Sequence, residues 1–395
     1  MSRLKILLLQ FRLNLVQNLF FIAECVLVFL VVNSGISTLL YSGYLERYAD
    51  FDLDTVFFLS GAVSLNAAGS NPEQFEQMAE DIRSVAGVAG VGYYANESFL
   101  SGENEELLVS AFVLNSDMLR VEYPLSRGEW FGSQASPETQ VILGGEIASL
   151  YEVGEIITLH KLETGQGRLQ YIPVTARLIG KLREPSFAID LNFSSSRPDY
   201  VNMFKPCENI ILTDDQTLIS RNDIRYPAMS LLVFAGPGAD LEQVRRELAA
   251  FGQPFDFREV DGYSREAAAN RLARQLPAVG MLIAGVLFGV MGITYLSTYQ
   301  NMKTLSVYYL YGMSRRGCAL VNIILNTAML GISLLISVLL YFVPSVHDRL
   351  FRRALLGPQN LIFSLAFLAA AAGLSLAASC RFSRKSPVAA MRRFE

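Results

Sequence analysis

The chain is poor in charge. Only 18% of its 395 residues are Asp, Glu, Lys or Arg, while 51% are hydrophobic; a soluble domain carries roughly 25% charge. With a mean hydropathy of +0.31, part of this apolar surplus is expected to face lipid. Neither is there an excess of basic residues: 33 Lys and Arg stand against 37 Asp and Glu, for a net charge of -4. A chain that binds nucleic acid needs a basic face to displace counterions, so nucleic acid is not expected as a partner. Histidine is scarcer still, with His160 and His347 far apart and without Cys or Glu neighbours at ligand spacing, so no zinc or haem site is expected. Of four cysteines, Cys25, Cys318 and Cys380 lie within or at the ends of apolar runs. Cys207 is alone in the polar middle, which therefore closes no internal disulfide and has to hold together by its core.

Catalytic motifs are also missing. There is no G-x-x-x-x-G-K-[ST] run to cradle a nucleotide, no H-E-x-x-H, no C-x-x-C and no G-x-S-x-G. No catalytic residue, metal ligand or cofactor site is assigned in this chain, and an enzyme is not expected. The acidic run Glu103, Asn104, Glu105, Glu106 lacks the alternating ligands and turn glycine of a calcium loop and reads as a solvated hairpin tip.

Long apolar runs are present. A bilayer core of about 30 Å takes around 20 helical residues, and four stretches reach that length: residues 19–41, 276–296, 319–343 and 361–379. The first is too long for a signal-peptide core and has no small-x-small cleavage site, so it reads as a retained anchor. Residues 1–18, where leucines alternate with Lys5, Gln10 and Arg12, read as an amphipathic helix on the inner membrane surface or as an extension of the first span. Basic residues gather before the first span (Arg3, Lys5, Arg12), between the second and third (Lys303, Arg315, Arg316) and after the fourth (Arg381, Arg384, Lys385, Arg392, Arg393). Lys and Arg are retained in the cytoplasm during insertion, so both termini, residues 297–318 and the tail 380–395 are expected inside. Residues 42–275 and the short loop 344–360 fall outside, although Arg349, Arg352 and Arg353 in that loop oppose the assignment. Glu24 lies about one turn inside the first apolar run, where it can snorkel, pair with a neighbouring helix or bind a proton or ion. Gly285 and Gly289 form a small-xxx-small pair for helix packing within a bundle or across a dimer.

Residues 42–275 have ordinary globular composition and an α+β pattern. A strand at 55–60, a helix opened by Asn71-Pro72-Glu73 and a strand at 88–94 form one unit. A strand at 231–234, a Gly236-Pro237-Gly238 turn, a helix at 240–251 and a strand at 255–260 form a second, and two such units flanking a middle imply a split α+β layer domain. The middle predicts strands at 107–114, 139–143, 156–162 and 169–180 and a short helix at 145–151. The Pro- and Ser-bearing stretch 183–207 has little periodicity and reads as a long surface loop.

The cytoplasmic stretch Thr304-Leu305-Ser306-Val307-Tyr308-Tyr309-Leu310-Tyr311-Gly312-Met313-Ser314-Arg315-Arg316 resembles the E-I-x-x-L-R-x-L-G-x-S-R-R segment of FtsX-like, or MacB-type, ABC transporter permeases, matching at Gly312, Ser314, Arg315 and Arg316. Thr304 replaces the usual acidic residue and Tyr309 the usual basic one. The C-terminal Pro387-Val388-Ala389-Ala390-Met391-Arg392 is similar to that family's P-x-x-A-L-R ending. Gln140 to Ala148 followed by Val153 to Leu159 is similar to its strand, helix, strand passage.

What the resemblance implies is a bacterial cytoplasmic-membrane protein with four transmembrane α-helices and a MacB-type extracytoplasmic α+β domain between the first two. It further implies an ABC ATP-binding subunit as partner, holding the ATP and magnesium and docking on Tyr308, Tyr309, Tyr311, Gly312, Ser314, Arg315 and Arg316. A second permease copy or paralogue would complete the assembly in contact with membrane lipid. The function implied is export or extraction of a peptide, lipoprotein or amphiphile; the alternative is a membrane-anchored regulator that signals to a cell-envelope partner without transport.

Overall fold

The computed structural model describes residues 11–12, 15–48, 55–62, 72–101, 107–132, 138–165, 168–207, 209–219, 229–300, 314–351 and 356–383. The acidic run 103–106 and most of residues 1–18 lie outside them. The chain divides into a helical unit, Met1–Gly43 with Ala268–Glu395, and an α+β unit, Tyr44–Ala267. In chain order the elements are α1 (Leu15–Tyr48), β1 (Val56–Ser60), α2 (Pro72–Arg83), β2 (Val88–Gly92), β3 (Tyr94–Ser101), β4 (Leu107–Leu114), β5 (Leu125–Gly128) and β6 (Gln140–Gly145). Then follow α3 (Ile147–Leu150), β7 (Ile156–Gly165), β8 (Arg168–Leu182), β9 (Phe187–Ile189), α4 (Tyr200–Met203), β10 (Phe204–Pro206), β11 (Asn209–Thr213) and β12 (Ser230–Ala235). The chain continues with α5 (Leu241–Leu248), β13 (Gln253–Asp256), α6 (Phe257–Gln300), α7 (Arg315–Tyr341), α8 (Pro344–Leu350) and α9 (Pro358–Ser383).

Both expected strand-helix-strand units are present, and they interleave. Their strands form one antiparallel sheet in the order β13-β1-β12-β2, so Phe58 of β1 lies opposite Leu232 on one side and Phe255 on the other. The helices cover one face because their apolar residues recur at helical spacing: Phe75, Ala79 and Ile82 of α2, and Val244 and Leu248 of α5, pack on Phe57, Leu59, Leu231 and Val233. Asp240 starts α5 by accepting from the Glu242 and Gln243 amides, satisfying donors that have no intrahelical partner. After β13 the backbone turns helical at Phe257, so residues 257–260, read from sequence as strand, open α6 instead. Glu259 accounts for the change: its amide is capped by Asp256 Oδ1 at 2.7 Å and its carboxylate pairs with Arg245 at 2.7 Å.

The opposite face of this sheet corrects the sequence reading of 183–207. Rather than a surface loop, this stretch carries the β9–β10 hairpin and α4 and buries Phe187, Ile189, Leu191, Tyr200, Met203 and Phe204. Phe193 lies against Phe58, and Ser60 Oγ bonds Ser194 Oγ, the Ser195 carbonyl and the Ser195 amide. Every residue of β1 is consequently buried, on both faces. Local pattern concealed this because the stretch buries side chains singly, from turns, rather than in a repeating period.

The middle closes into a barrel. Strands β8, β6, β11, β4, β3 and β7 pair in that order and β7 pairs again with β8, with β5 added on β8. Alternate side chains point inward: Ala95 and Phe99 of β3, Val109, Ala111 and Val113 of β4, Ile157 and Leu159 of β7, Ala176 and Leu178 of β8, with α3 contributing Ile147 and Ala148. Strands β3, β5 and β11 were not expected from the sequence; β3 continues the residues read as the end of the 88–94 strand after a break at Tyr93.

That break is where the sheet meets the barrel, and Asn115 holds it. The Asn115 side chain donates to the Val91 carbonyl at 2.7 Å and accepts from the Tyr93 and Met118 amides at 3.0 Å each. Asp117 accepts from the Val91 amide at 3.0 Å. These two side chains stand in for a missing neighbour along the edge of β2. Replacing Asn115 by Asp preserves shape but removes the donor to Val91 and buries a carboxylate, which is expected to cost about 2–4 kcal/mol. Thermal unfolding of the detergent-solubilised chain, followed through its single tryptophan, Trp130, whose indole donates to the Leu119 carbonyl at 2.8 Å, should show a lower midpoint for Asn115→Asp. An unchanged midpoint would remove Asn115 from this role.

Candidate functional site

Among the described residues the helical unit has four helices long and apolar enough to cross a membrane, found within α1, α6, α7 and α9. Their shared core contains Phe21, Cys25, Val28 and Phe29 of α1, Val286 and Val290 of α6, Leu325, Met329 and Leu330 of α7, and Phe367 and Ala371 of α9. Phe29 meets Phe367 edge to face with ring centroids 5.3 Å apart. Lipid is as apolar as these side chains, so burial alone favours no particular helix arrangement, and hydrogen bonds contribute the specificity.

Those bonds come from Asn and Ser side chains that the sequence reading did not single out. Ser333 and Ser337 of α7 donate to their own i-4 carbonyls at 2.8 Å and also to the Ile22 and Val26 carbonyls of α1 at 3.3 and 3.4 Å. Asn326 of α7 reaches Ser375 of α9 at 3.2 Å. Between α1 and α9, Asn33 donates to Ser364 at 3.3 Å, and Asn360 donates to the Asn33 carbonyl, Asn33 Oδ1 and Ser37 Oγ at 3.1, 3.1 and 3.0 Å. A signal was available: Asn33/Ser37 and Ser333/Ser337 are i,i+4 pairs within apolar runs and Asn360/Ser364 is one at the start of the last run, which puts each pair on one helix face.

The two glycines read as a packing pair behave differently. A Cβ on Gly289 would lie 3.3 Å from Glu24 Oε2 of α1, whereas Gly285 has nothing within 4 Å. Only Gly289 marks a helix contact inside this bundle. Of the proposed docking residues, Tyr308, Tyr309, Tyr311 and Gly312 lie outside the described residues. Ser314 is the N-cap of α7, its Oγ accepting from the Gly317 amide at 3.1 Å, and Arg315 and Arg316 are the first two residues of that helix.

Within the α+β unit several polar groups buried by the fold face one another. Glu97 and Lys161 face each other at 4.0 Å inside the barrel, with side chains 5% and 7% exposed. The Ser101 and Tyr151 hydroxyls lie 3.0 Å apart. Tyr94 and Tyr123 accept from the Leu191 and Ile189 amides at 3.2 Å each, and burial pushes both phenols above their ordinary range. Burial likewise pushes the Cys207 thiol up to about 12. Among the described residues no group of three or more His, Cys, Asp or Glu side chains is placed to hold a metal. The chemistry these groups support is packing and orientation.

Two measurements follow from this geometry. In a double-mutant cycle on Asn33→Ala and Asn360→Ala, scored by unfolding in detergent, the pair should couple by about 0.5–2 kcal/mol; additive effects would mean that the α1–α9 bonds are not formed. A thiol titrating near 12 is thiolate in only about one molecule in ten thousand at pH 8, so alkylation of Cys207 by iodoacetamide, read by mass spectrometry, should be slow there and accelerate only on unfolding. Rapid labelling of the folded chain at pH 8 would contradict its placement.

No family model matches the sequence, and no curated protein matches it. Among solved structures, the chain is similar to the extracellular domain of the noncanonic ABC-type transporter YknZ from Gram-positive bacteria, at 15% identity and a TM-score of 0.29, over 49% of this chain and 90% of that one. It is also similar to the periplasmic region of MacB from Actinobacillus actinomycetemcomitans, at 11% identity and a TM-score of 0.30, over 56% of this chain and 96% of that one.

Proposed function

We propose that this chain is the permease subunit of an ABC transporter, embedded in the bacterial cytoplasmic membrane with both termini inside and its α+β unit outside. The observation that carries this reading is the order of its elements: one apolar helix, an α+β unit of interleaved strand-helix-strand halves with an inserted barrel, then three apolar helices. The sequence Gly312-Met313-Ser314-Arg315-Arg316 at the start of α7 adds to it. ATP and magnesium belong to a separate ATP-binding subunit that docks on Tyr308, Tyr309, Tyr311, Gly312, Ser314, Arg315 and Arg316. Aromatic and arginine side chains suit such an anchor. A second permease copy or paralogue completes the assembly.

Hydrolysis in the partner tilts the helices and moves the α+β unit, so the work on a peptide, lipoprotein or amphiphile is done outside the membrane. A hydrophilic pore is not part of this mechanism, because the four apolar segments carry one acidic side chain, Glu24, and no basic one. The same economy of charge suits the second reading, a regulator that passes the motion to a cell-envelope protein without moving cargo. Whether ATP turnover in liposomes moves a substrate or only alters a partner's activity separates the two.

Tagged chain extracted from native membranes is expected to bring down a P-loop ATPase, and Gly312→Trp or Arg315→Glu should reduce its recovery about tenfold, a loss of about 1.4 kcal/mol. The Trp130 unfolding midpoint should not change. Recovery of the chain without any ATP-binding partner would overturn the proposal.

A further inference from the structure

Glu24 is the one acidic or basic residue in the four apolar segments. Its position in the first segment placed it near the inner membrane edge, but helix packing puts it deeper. Glu24 Oε2 lies against Gly289, three residues from the middle of segment 276–296, or about 4.5 Å at 1.5 Å per residue. On α7, Ser333 and Ser337 bond the Ile22 and Val26 carbonyls on either side of Glu24, and they stand two and six residues from the middle of segment 319–343. The carboxyl is thus level with the centre of the bundle. Arg12, the nearest basic residue in sequence, is twelve residues away, about 18 Å along a helix.

The carboxyl also lies on a boundary. Along α1, Phe21 and Val28 on one side of Glu24 are buried, whereas Phe20 and Leu27 on the other are 65% and 52% exposed. Along α6, Val286 on one side of Gly289 is buried, whereas Gly285 and Gly292 on the other are exposed and have nothing within 4 Å. Two helices therefore enclose a groove that opens sideways from the bundle. Its walls are Phe20 and Leu27 on one side and side-chain-free glycines on the other, with a carboxyl at its floor.

We propose that this groove binds a lipophilic cation, its apolar body between Phe20, Leu27 and the glycine strip and its cationic head on the Glu24 carboxylate. Charge complementarity selects this occupant. A lone carboxylate at the bilayer centre is costly and no basic residue of the four segments offsets it, while a neutral lipid tail fills the groove without compensating the charge. The inference does not depend on the permease reading, because binding is a property of the isolated chain.

The test uses the full chain in phosphatidylcholine nanodiscs, which carry no competing anionic lipid. The probes are dodecyltrimethylammonium bearing a fluorophore on its tail and the equally labelled dodecanol. The permanently charged probe should bind about tenfold more tightly than the alcohol, as expected for one charge-assisted contact. Glu24→Gln should erase that preference while leaving alcohol binding intact, which also reports that the groove is still formed. Glu24→Asp should retain part of the preference, and Leu27→Trp, which fills the groove, should weaken both probes. Equal binding of the cation to wild type and Glu24→Gln overturns the proposal. So does a wild-type chain that does not prefer the cation, the result for a carboxyl serving only a proton or a basic residue of another helix. Failure to recover an ATPase in co-purification leaves this result unaffected, so the two readings fail separately.

Discussion

Strand β1 is held on both edges by strands from the far end of the α+β unit, and most of that unit follows from this arrangement. Val56 to Ser60 pair with Ser230 to Phe234 on one side and with Gln253 to Asp256 on the other. Residues 170 or more positions apart therefore lie on neighbouring strands. Closing so long a loop costs little more entropy than closing a shorter one, whereas two ladders of backbone hydrogen bonds and a fully buried Val-Phe-Phe-Leu-Ser strand favour it at every step. The antiparallel pairing of β1 with β13 also puts the beginning of the one beside the end of the other. The unit's entrance and exit are neighbours, as an insertion between two consecutive membrane helices requires.

With its first and last strands locked together, the unit can carry a large insertion between β2 and β12. The insertion closes on itself as a barrel, which leaves few strand edges unpaired. The remaining edge of β2 is covered by Asn115 and Asp117, and residues 186–206 fill the face of the sheet that the helices leave bare. A unit without a disulfide thus buries both faces of its central sheet and satisfies its edge with side chains. Burial also raises the Cys207 thiol and the phenols of Tyr94 and Tyr123 above their ordinary ranges.

The helical unit faces the opposite problem, an excess of apolar surface with nothing in lipid to choose among packings. Pairs of Asn and Ser one turn apart supply the choice, tying α1 to α7 through Ser333 and Ser337 and to α9 through Asn33, Ser37, Asn360 and Ser364. These bonds determine the relative heights of the helices and so the depth of Glu24. A carboxyl that sequence distance puts near an interface becomes, by register, a group at the centre of the bundle.

Much of this was legible beforehand because period is local. The four apolar runs, both strand-helix-strand halves and the barrel strands β4, β6, β7 and β8 announce themselves through runs of about 20 apolar residues, through 3.6-residue spacing as in Phe75, Ala79 and Ile82, or through alternation as in Ile157 and Leu159. Residues 183–207 did not, because their burial depends on a sheet face presented by distant segments. Nor did β3 and β11, which are strands only because the barrel pairs them. Residue order was enough to say which segments are apolar enough to cross a membrane and that the polar middle has an α+β pattern. Tertiary structure alone decided that this middle is a split sheet with a closed barrel inserted, that Gly289 and not Gly285 meets a neighbouring helix, and how deep Glu24 lies. Periodicity is written along the chain, whereas pairing and register arise only when segments far apart in sequence meet.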